Sequence, residues 1–444
     1  MLSDMERKPA DKSVFATQFY CRYLAIFVTV ALAFSWVTRV DAQQTTPSVC
    51  KGDYRLLSDG NISAEEELAN CTIIDGSLRI NDAKYQSLKS LENITQITGS
   101  LTIYDSESLG LSFLSNLKSV LGSVFIYNRE IINLAWLSSL EEIGESFSIR
   151  SYAPSRFRSL DGLENLKSVG TINIVDYPVP ISLKAFTNVT KIKSINLINN
   201  SQLDSLAGFE YLTSLSGDLI IKGNPSLKTL DGFSSLTTVA GKVNINGNAQ
   251  LEDLTGLGSL TLATTIIIEN NKVLASLMGL TELKSVTSSF NILRNPQITS
   301  TLGLATLQNI GGELLIHNNP KLTSLIGLEG LDSVNNLTLT DNLALTDISA
   351  LSYLTGIQSK LQLQNNKSLA SLKGLENILT LRDCYIDNHP ELIDLAELKN
   401  LSTVSNNLSL RSNLNLQDIS ALQGIAYGGM LLLKGSPLIE NQSL

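Results

Sequence analysis

The sequence predicts a mainly β repeat solenoid, a right-handed coil of about 16 turns carrying one long parallel sheet. Three observations predict it. A pair of apolar residues two apart recurs along the chain, and side chains alternate across a strand, so each pair reads as a short strand with one buried face. An Asn follows five positions after the first residue of the pair, as Leu219, Ile221 and Asn224 show. Apolar residues spaced by three then trace a return path, here Leu227, Leu230, Phe233, Leu236 and Val239, before Gly241 opens the next copy.

The first strand residue falls at Leu78, Leu101, Val124, Phe147, Ile172, Ile195, Leu219, Val243, Ile266, Phe290, Leu314, Leu337, Leu361, Cys384, Leu408 and Leu431, in steps of 23 to 25 residues. One such coil cannot bury its own apolar side, so neighbours must stack. A length of 444 residues would otherwise suggest about three domains. The unbroken repeat overrides that expectation. With 43% apolar and 17% charged residues the chain can build a large core, and a net charge of -9 argues against a general nucleic-acid or anionic-membrane binder.

Taken in order, the chain opens with a polar, mixed-charge stretch holding Arg7, Lys8, Lys12 and Arg22. The 14-residue, mainly apolar run Leu24 to Val37 follows, then Arg39 and Val40-Asp41-Ala42. The run is shorter than a membrane span, and its small-residue end fits a signal-peptidase site, so residues 1–42 are predicted to be a signal peptide. An uncleaved signal anchor is the rival reading, and it supplies the one membrane contact the sequence suggests. Both place the solenoid outside the cytoplasm, secreted or at the cell surface. Removing 1–42 takes away five basic and four acidic residues and leaves a charge of about -10.

Residues 43–75 are predicted to be an N-terminal cap, and residues 76–444 the solenoid. Cys50 and Cys71 flank a capping box, Ser63-x-x-Glu66, ahead of Leu68. A disulfide between them would tie a small helix over the open end of the first coil, worth about 3 kcal/mol. Cys21 lies in the leader. Cys384 stands at a strand core position and reads as a buried thiol. An insertion at Tyr152-Ala153-Pro154-Ser155, and Pro178 and Pro180 one copy later, predict a bend or protruding loop. Sequons stand at Asn61, Asn70, Asn93, Asn188, Asn199, Asn336, Asn366, Asn400, Asn407 and Asn441. Asn61, Asn93, Asn188 and Asn400, in cap or return segments, are the glycosylation candidates; Asn366 is expected to be buried. The last copy is followed by no apolar tail, so no C-terminal lipid-anchor signal or span is expected.

The turn position reads Asn200, Asn224, Asn248, Asn271, Asn295, Asn319, Asn342, Asn366, His389 and Asn413 in successive copies. Stacked about 4.8 Å apart, these amides are predicted to form a structural ladder that satisfies turn groups no strand partner reaches. His389 reads as a hydrogen-bonding substitute in that ladder. One position earlier, Asp82, Asp105, Asn128 and Asp176 read as turn caps, because a calcium ion would need about six oxygens or more.

The segment Cys71-Thr72-Ile73-Ile74-Asp75-Gly76-Ser77-Leu78-Arg79-Ile80, with Gly99-Ser100-Leu101-Thr102-Ile103 after it, resembles the receptor L domain. That is the leucine-rich-repeat-like module of the insulin and epidermal growth factor receptors. The chain also looks like fungal cell-surface proteins of the sporulation and cell-wall-organisation family, which open with a similar Cys, short helix, Cys and Gly-x-Leu-x-Ile array. Leu227 follows Asn224 by three rather than by two, which suits the L-domain variant. The resemblance implies a solenoid ectodomain; the receptors' cysteine-rich modules and kinase have no counterpart here.

Solenoids bind through the exposed side of their sheet. The outward column between the inward strand residues runs Arg79, Thr102, Phe125, Ser148, Asn173, Asn196, Ile220, Asn244, Ile267, Asn291, Leu315, Thr338, Gln362, Tyr385, Ser409 and Leu432. The next column includes Tyr104, Tyr127, Arg150, Lys222, Glu269, Leu293, His317, Asp387 and Arg411. Tyr104, Phe125 and Tyr127 are predicted to cluster beside Arg150 as a binding face for protein or glycan. A glycan-cleaving solenoid would need two carboxylates about 5 to 9 Å apart. Glu269 and Asp387 stand five copies apart, and no phosphate loop, metal spacing or cofactor motif is present. The sequence therefore predicts a non-catalytic surface glycoprotein, structural or adhesive, with a ligand-binding receptor-like ectodomain as the alternative.

Overall fold

The computed structural model describes residues 47–57, 66–81, 92–104, 112–127, 131–150 and 156–439, and Pro47–Leu444 forms one compact unit. The leader, the Ser63 cap, Asn61, Asp82, Asp105, Asn128, Asn441 and the 152–155 insertion lie outside the described residues.

Parallel pairing joins each repeat to the next in the expected register. Leu219 and Ile221 face Val243 and Ile245, which face Ile266 and Ile268, and all six side chains are buried. Opposite this sheet the return path makes short 3-10 turns such as Asp231–Phe233 and Thr255–Leu257, burying Leu230, Phe233 and Leu236 against the strand residues. Phe186, Phe209 and Phe233 stack in successive coils, with ring centroids 5.8 and 5.3 Å apart. The chain is a mainly parallel β-solenoid of the leucine-rich-repeat and receptor-L-domain kind.

Three features differ from the sequence reading. The sheet has two rows of strands rather than one. Each coil first lays down a short pair such as Ser214–Leu215 or Ser285–Val286, then bends into the long row, and strands such as Thr238–Asn246 span both. At the bend the coils approach so closely that a Cβ on Gly122 would lie 2.6 Å from the Gly99 carbonyl oxygen. At Gly122 that leaves room for glycine alone, whereas later coils carry Ser288, Arg382 and Asn406 at the same bend.

The solenoid also begins earlier, because Tyr54–Leu57 is already a rung paired to Leu78–Asn81. The cap is thus partly a coil. Val49–Lys51 pairs with Ile73–Asp75 in the short row, and the Cys50–Cys71 disulfide joins neighbouring segments with Cα atoms 5.8 Å apart. Leu68 lies buried beneath, and Tyr54 Oη donates to Glu67 Oε1 at 3.0 Å.

In the proline-bearing coil the strand Ser168–Val175 keeps its full length and pairing, and the chain bends after it. Pro178 and Pro180 stand beyond its end, where no strand bond is asked of them. Finally, the residue before the ladder is a left-handed turn rather than a simple cap. Asp176, Asn199, Gly223, Gly247, Asn270, Arg294, Asn318, Asp341, Asn365, Asn388, Ser412 and Gly435 all have φ between 52° and 78°. That kink turns the following residue inward. Asn, Asp and Gly tolerate it best.

The inward residues form the ladder. Asn224 Oδ1 accepts the Asn200 backbone N–H at 3.0 Å, and Asn224 Nδ2 donates to the Leu197 carbonyl at 2.9 Å. Asn248, Asn271, Asn295, Asn319 and Asn342 repeat both bonds. Every Asn in the ladder, including Asn366 and Asn413, is 1% exposed or less. The ladder ends on residues the sequence pattern did not include. Tyr177 stands one rung before Asn200 and donates its N–H to Asn200 Oδ1, and Ser436 Oγ accepts from Asn413 N–H and donates to Leu410 O.

His389 is the weak rung. Its Nδ1 lies 3.0 Å from the Asn366 carbonyl oxygen, which makes Nδ1 the donor, and the buried Nε2 makes no hydrogen bond of good geometry. Burial holds the imidazole below its ordinary value, against the Asn366 and Leu363 carbonyls, which raise it. The folded-state pKa is therefore below the unfolded one, so His389 costs no stability above about pH 6.5 and increasingly weakens the fold as pH falls below that. His389→Asn is expected to remove this acid loss and to add about 1 kcal/mol near neutrality. Urea unfolding at about pH 7.5 and about pH 5.5 checks it; an unchanged difference between the two pH values in the variant would contradict the assignment.

Candidate binding face

The outward columns of the long row are mostly half-buried, because side chains one rung apart pack on each other; Thr338 and Ser409 are buried outright, and Arg150, Lys222 and Arg411 are exposed. Their character changes along the stack.

At the amino-terminal end three aromatic rings come together. Tyr104 and Tyr127 occupy one column in adjacent rungs, with ring centroids 5.0 Å apart and planes 13° from parallel. Phe125 stacks beside Tyr127 at 6.2 Å. The strands put the rings there: Leu101, Ile103, Val124 and Ile126 point inward, so the residues after each point out. The Arg150 guanidinium, one rung beyond Tyr127, pairs with Asp176 in the next coil, at 3.3 Å. The guanidinium over the stack belongs to Arg79, 4.5 Å from the Tyr104 centroid. Arg79 lies one rung earlier and one column across from Tyr104, a diagonal relation that pairwise reading along a single column misses.

The middle of the face is apolar and amide. Ile220, Ile267, Leu293 and Leu315 alternate with Asn244 and Asn291, whose Oδ1 atoms are buried without partners.

Towards the carboxyl-terminal end the charges close on one another. Asp387, 5% exposed, accepts from Ser409 Oγ at 2.7 Å, from Arg411 N–H at 2.8 Å and from Arg411 Nη2 at 2.9 Å. Lys360 faces Glu313 at 3.4 Å, Arg294 pairs with Glu269, and His317 Nδ1 lies 2.9 Å from Thr340 Oγ1 and 3.3 Å from Asp341 Oδ2. Glu269 and Asp387, the carboxylates an enzyme reading would need, are both held in these pairs. They are separated by five rung spacings of about 4.8 Å.

Among the described residues no group of three or more His, Cys, Asp or Glu is placed to hold a metal ion. The Cys384 thiol is buried, and desolvation, with Asp387 and Asp383 adding to it, pushes its pKa up to about 12, so it stays protonated. Among the described residues, no helix is long and apolar enough to cross a membrane.

Three sequons share one exposed corner column of the return path: Asn93, Asn188 and Asn400. Asn188 Nδ2 donates to the Glu164 carbonyl at 2.8 Å, and Asn400 Nδ2 to the Glu376 carbonyl at 2.7 Å. Asn116, Asn165 and Asn377, without sequons, make the same bond.

A family model matches this chain. It is that of the Receptor L domain, over residues 70–134. The matched segment holds Cys71, Arg79, Tyr104, Phe125 and Tyr127, so the ring stack falls inside it. No curated protein matches. Among solved structures the chain is similar to an internalin (InlF) of Listeria monocytogenes at 17% identity, covering 83% of this chain and 88% of that one, with a TM-score of 0.35. It is also similar to the chain in a TLR13–ssRNA13 complex at 17% identity, covering 84% and 68%, with a TM-score of 0.24.

Proposed function

We propose that this chain is a secreted or cell-surface glycoprotein with a non-catalytic structural and adhesive role, and that it docks protein or glycan on the outer face of its sheet. The observation that carries the reading is the ring stack. Tyr104, Phe125 and Tyr127 lie outside a core that the inward residues already fill, and stacked aromatics beside an arginine suit a contact with another molecule. The disulfide suits an oxidising compartment, in keeping with the apolar leader ending at Ala42. A cell-wall role, implied by the likeness to the fungal surface proteins, belongs to the same proposal; recovery of the protein wholly soluble in the medium would speak against it. A receptor-like ectodomain is the second reading, favoured by the same stack.

Replacing Tyr104, Phe125 and Tyr127 together by Ser is expected to abolish binding of the purified chain to cells or wall glycans while leaving its thermal transition largely in place, since no inward side chain changes. Retained binding in a folded variant would overturn the docking role. Glycans are expected at the corner column, on Asn93, Asn188 and Asn400, and absent from Asn366, which is fully buried in the ladder. Glycopeptide mass spectrometry of the secreted protein reads this directly, and an occupied Asn366 would contradict the placement.

A further inference from the structure

The arginines along the sheet divide into two kinds. Arg150, Arg294, Arg382 and Arg411 each pair with a carboxylate. Arg55 and Arg79 do not. They occupy the same outward column in adjacent rungs, Cα partner to Cα partner, so two like charges sit about one rung spacing, ~4.8 Å, apart along the backbone. Among the described residues neither has an acidic partner, and Arg79 rests on the Tyr104 ring instead. The nearest acids of the short row are engaged elsewhere: Asp53 Oδ1 accepts from Ser77 N–H and Asp75 Oδ1 from Thr98 Oγ1. Like charges in register destabilise a sheet, and this pair stands on a protein whose net charge is -9. An anion bound across them would relieve that repulsion.

The rings beside the pair narrow the choice of anion. Tyr104 has Arg79 on one face and Tyr127 on the other, and Phe125 lies against Tyr127. A flat sugar ring needs an open aromatic face, and Tyr104 has both of its faces covered, by Arg79 and by Tyr127. The ring edges carry the positive end of the aromatic quadrupole and favour carboxylates. Among the described residues the Tyr127 hydroxyl makes no hydrogen bond, which leaves a donor beside them. Thr102 and Phe125 continue the arginine column and supply an apolar strip.

We propose that Arg55, Arg79, Tyr104, Phe125 and Tyr127 form a docking site for an acidic polypeptide segment, one that carries neighbouring Asp or Glu residues with an apolar residue among them. The arginines pair with its carboxylates, the ring edges and the Tyr127 hydroxyl complete their solvation, and Phe125 takes the apolar residue. This deepens the adhesive reading and rests on it, since it names the chemistry of the partner at the same face.

The test is fluorescence anisotropy of the full chain with labelled poly-L-glutamate, run beside labelled polygalacturonate. The variants are the double Arg55→Gln, Arg79→Gln and, as a charge-matched control remote from the rings, the double Lys228→Gln, Lys399→Gln. Binding of poly-L-glutamate that weakens with salt, drops about tenfold or more in the arginine variant and persists in the lysine variant supports the site. Equal affinity of the arginine variant and the parent, no binding of poly-L-glutamate, or binding of polygalacturonate in its place would overturn it. The adhesive reading fails separately, through unchanged cell binding when the three rings become Ser. Both arginines are outward, and a matching thermal transition shows that the variant is folded.

Discussion

Stacking coils into a solenoid creates a polar problem at every turn, and the Asn ladder is its solution. A strand satisfies its backbone by pairing with the next rung, but the turn that follows must leave the sheet while still beneath the surface. Its N–H and C=O groups have neither a strand partner nor water, and each left unpaired would cost about 1–3 kcal/mol. One Asn per coil answers both needs, accepting from the N–H of the rung before and donating to a strand carbonyl of that same coil. The left-handed residue ahead of it aims the amide inward. Because each bond crosses from coil to coil, the ladder also fixes the spacing on which the strands and the stacked Phe rings depend.

Much of this was legible in the sequence, since the turn Asn and the inward apolar pair recur at nearly constant spacing and answer to one physical need. The second strand row was not. Ser214–Leu215 offers a single buried residue, and Leu215 looks like one more step of the return path spaced by three. Tyr54 and Leu56 escaped for a similar reason: they form a rung without a full repeat ahead of them. Tyr177 and Ser436 complete the ladder with other side chains, so a search for Asn stops short of both ends. The two prolines stand just beyond their strand, where a missing N–H costs the sheet nothing.

On the binding face, sequence placed Tyr104, Phe125 and Tyr127 together, because residues at equal repeat positions become neighbours. It also placed Arg150 with them, by proximity in the same column. Geometry adds an ion pair of Arg150 with Asp176 and puts Arg79 over Tyr104. Which cation pairs with which anion depends on diagonal neighbours and side-chain reach, and neither is encoded in the repeat. The same limits hid the contrast that gives the face its direction: closed ion pairs at the carboxyl-terminal end and, at the other, two arginines with no acidic partner among the described residues.

The ladder can be tested by changing one amide into a side chain of nearly the same shape. Asn271 Oδ1 serves the Asn248 N–H and its Nδ2 the Ile245 carbonyl, and Asn271→Leu fills the space while leaving both without partners. Urea unfolding should show the variant less stable by about 2–6 kcal/mol, the sum of two orphaned buried groups. A variant within about 0.5 kcal/mol of the parent, the range of a neutral surface change, would mean that apolar packing alone holds the coils in register.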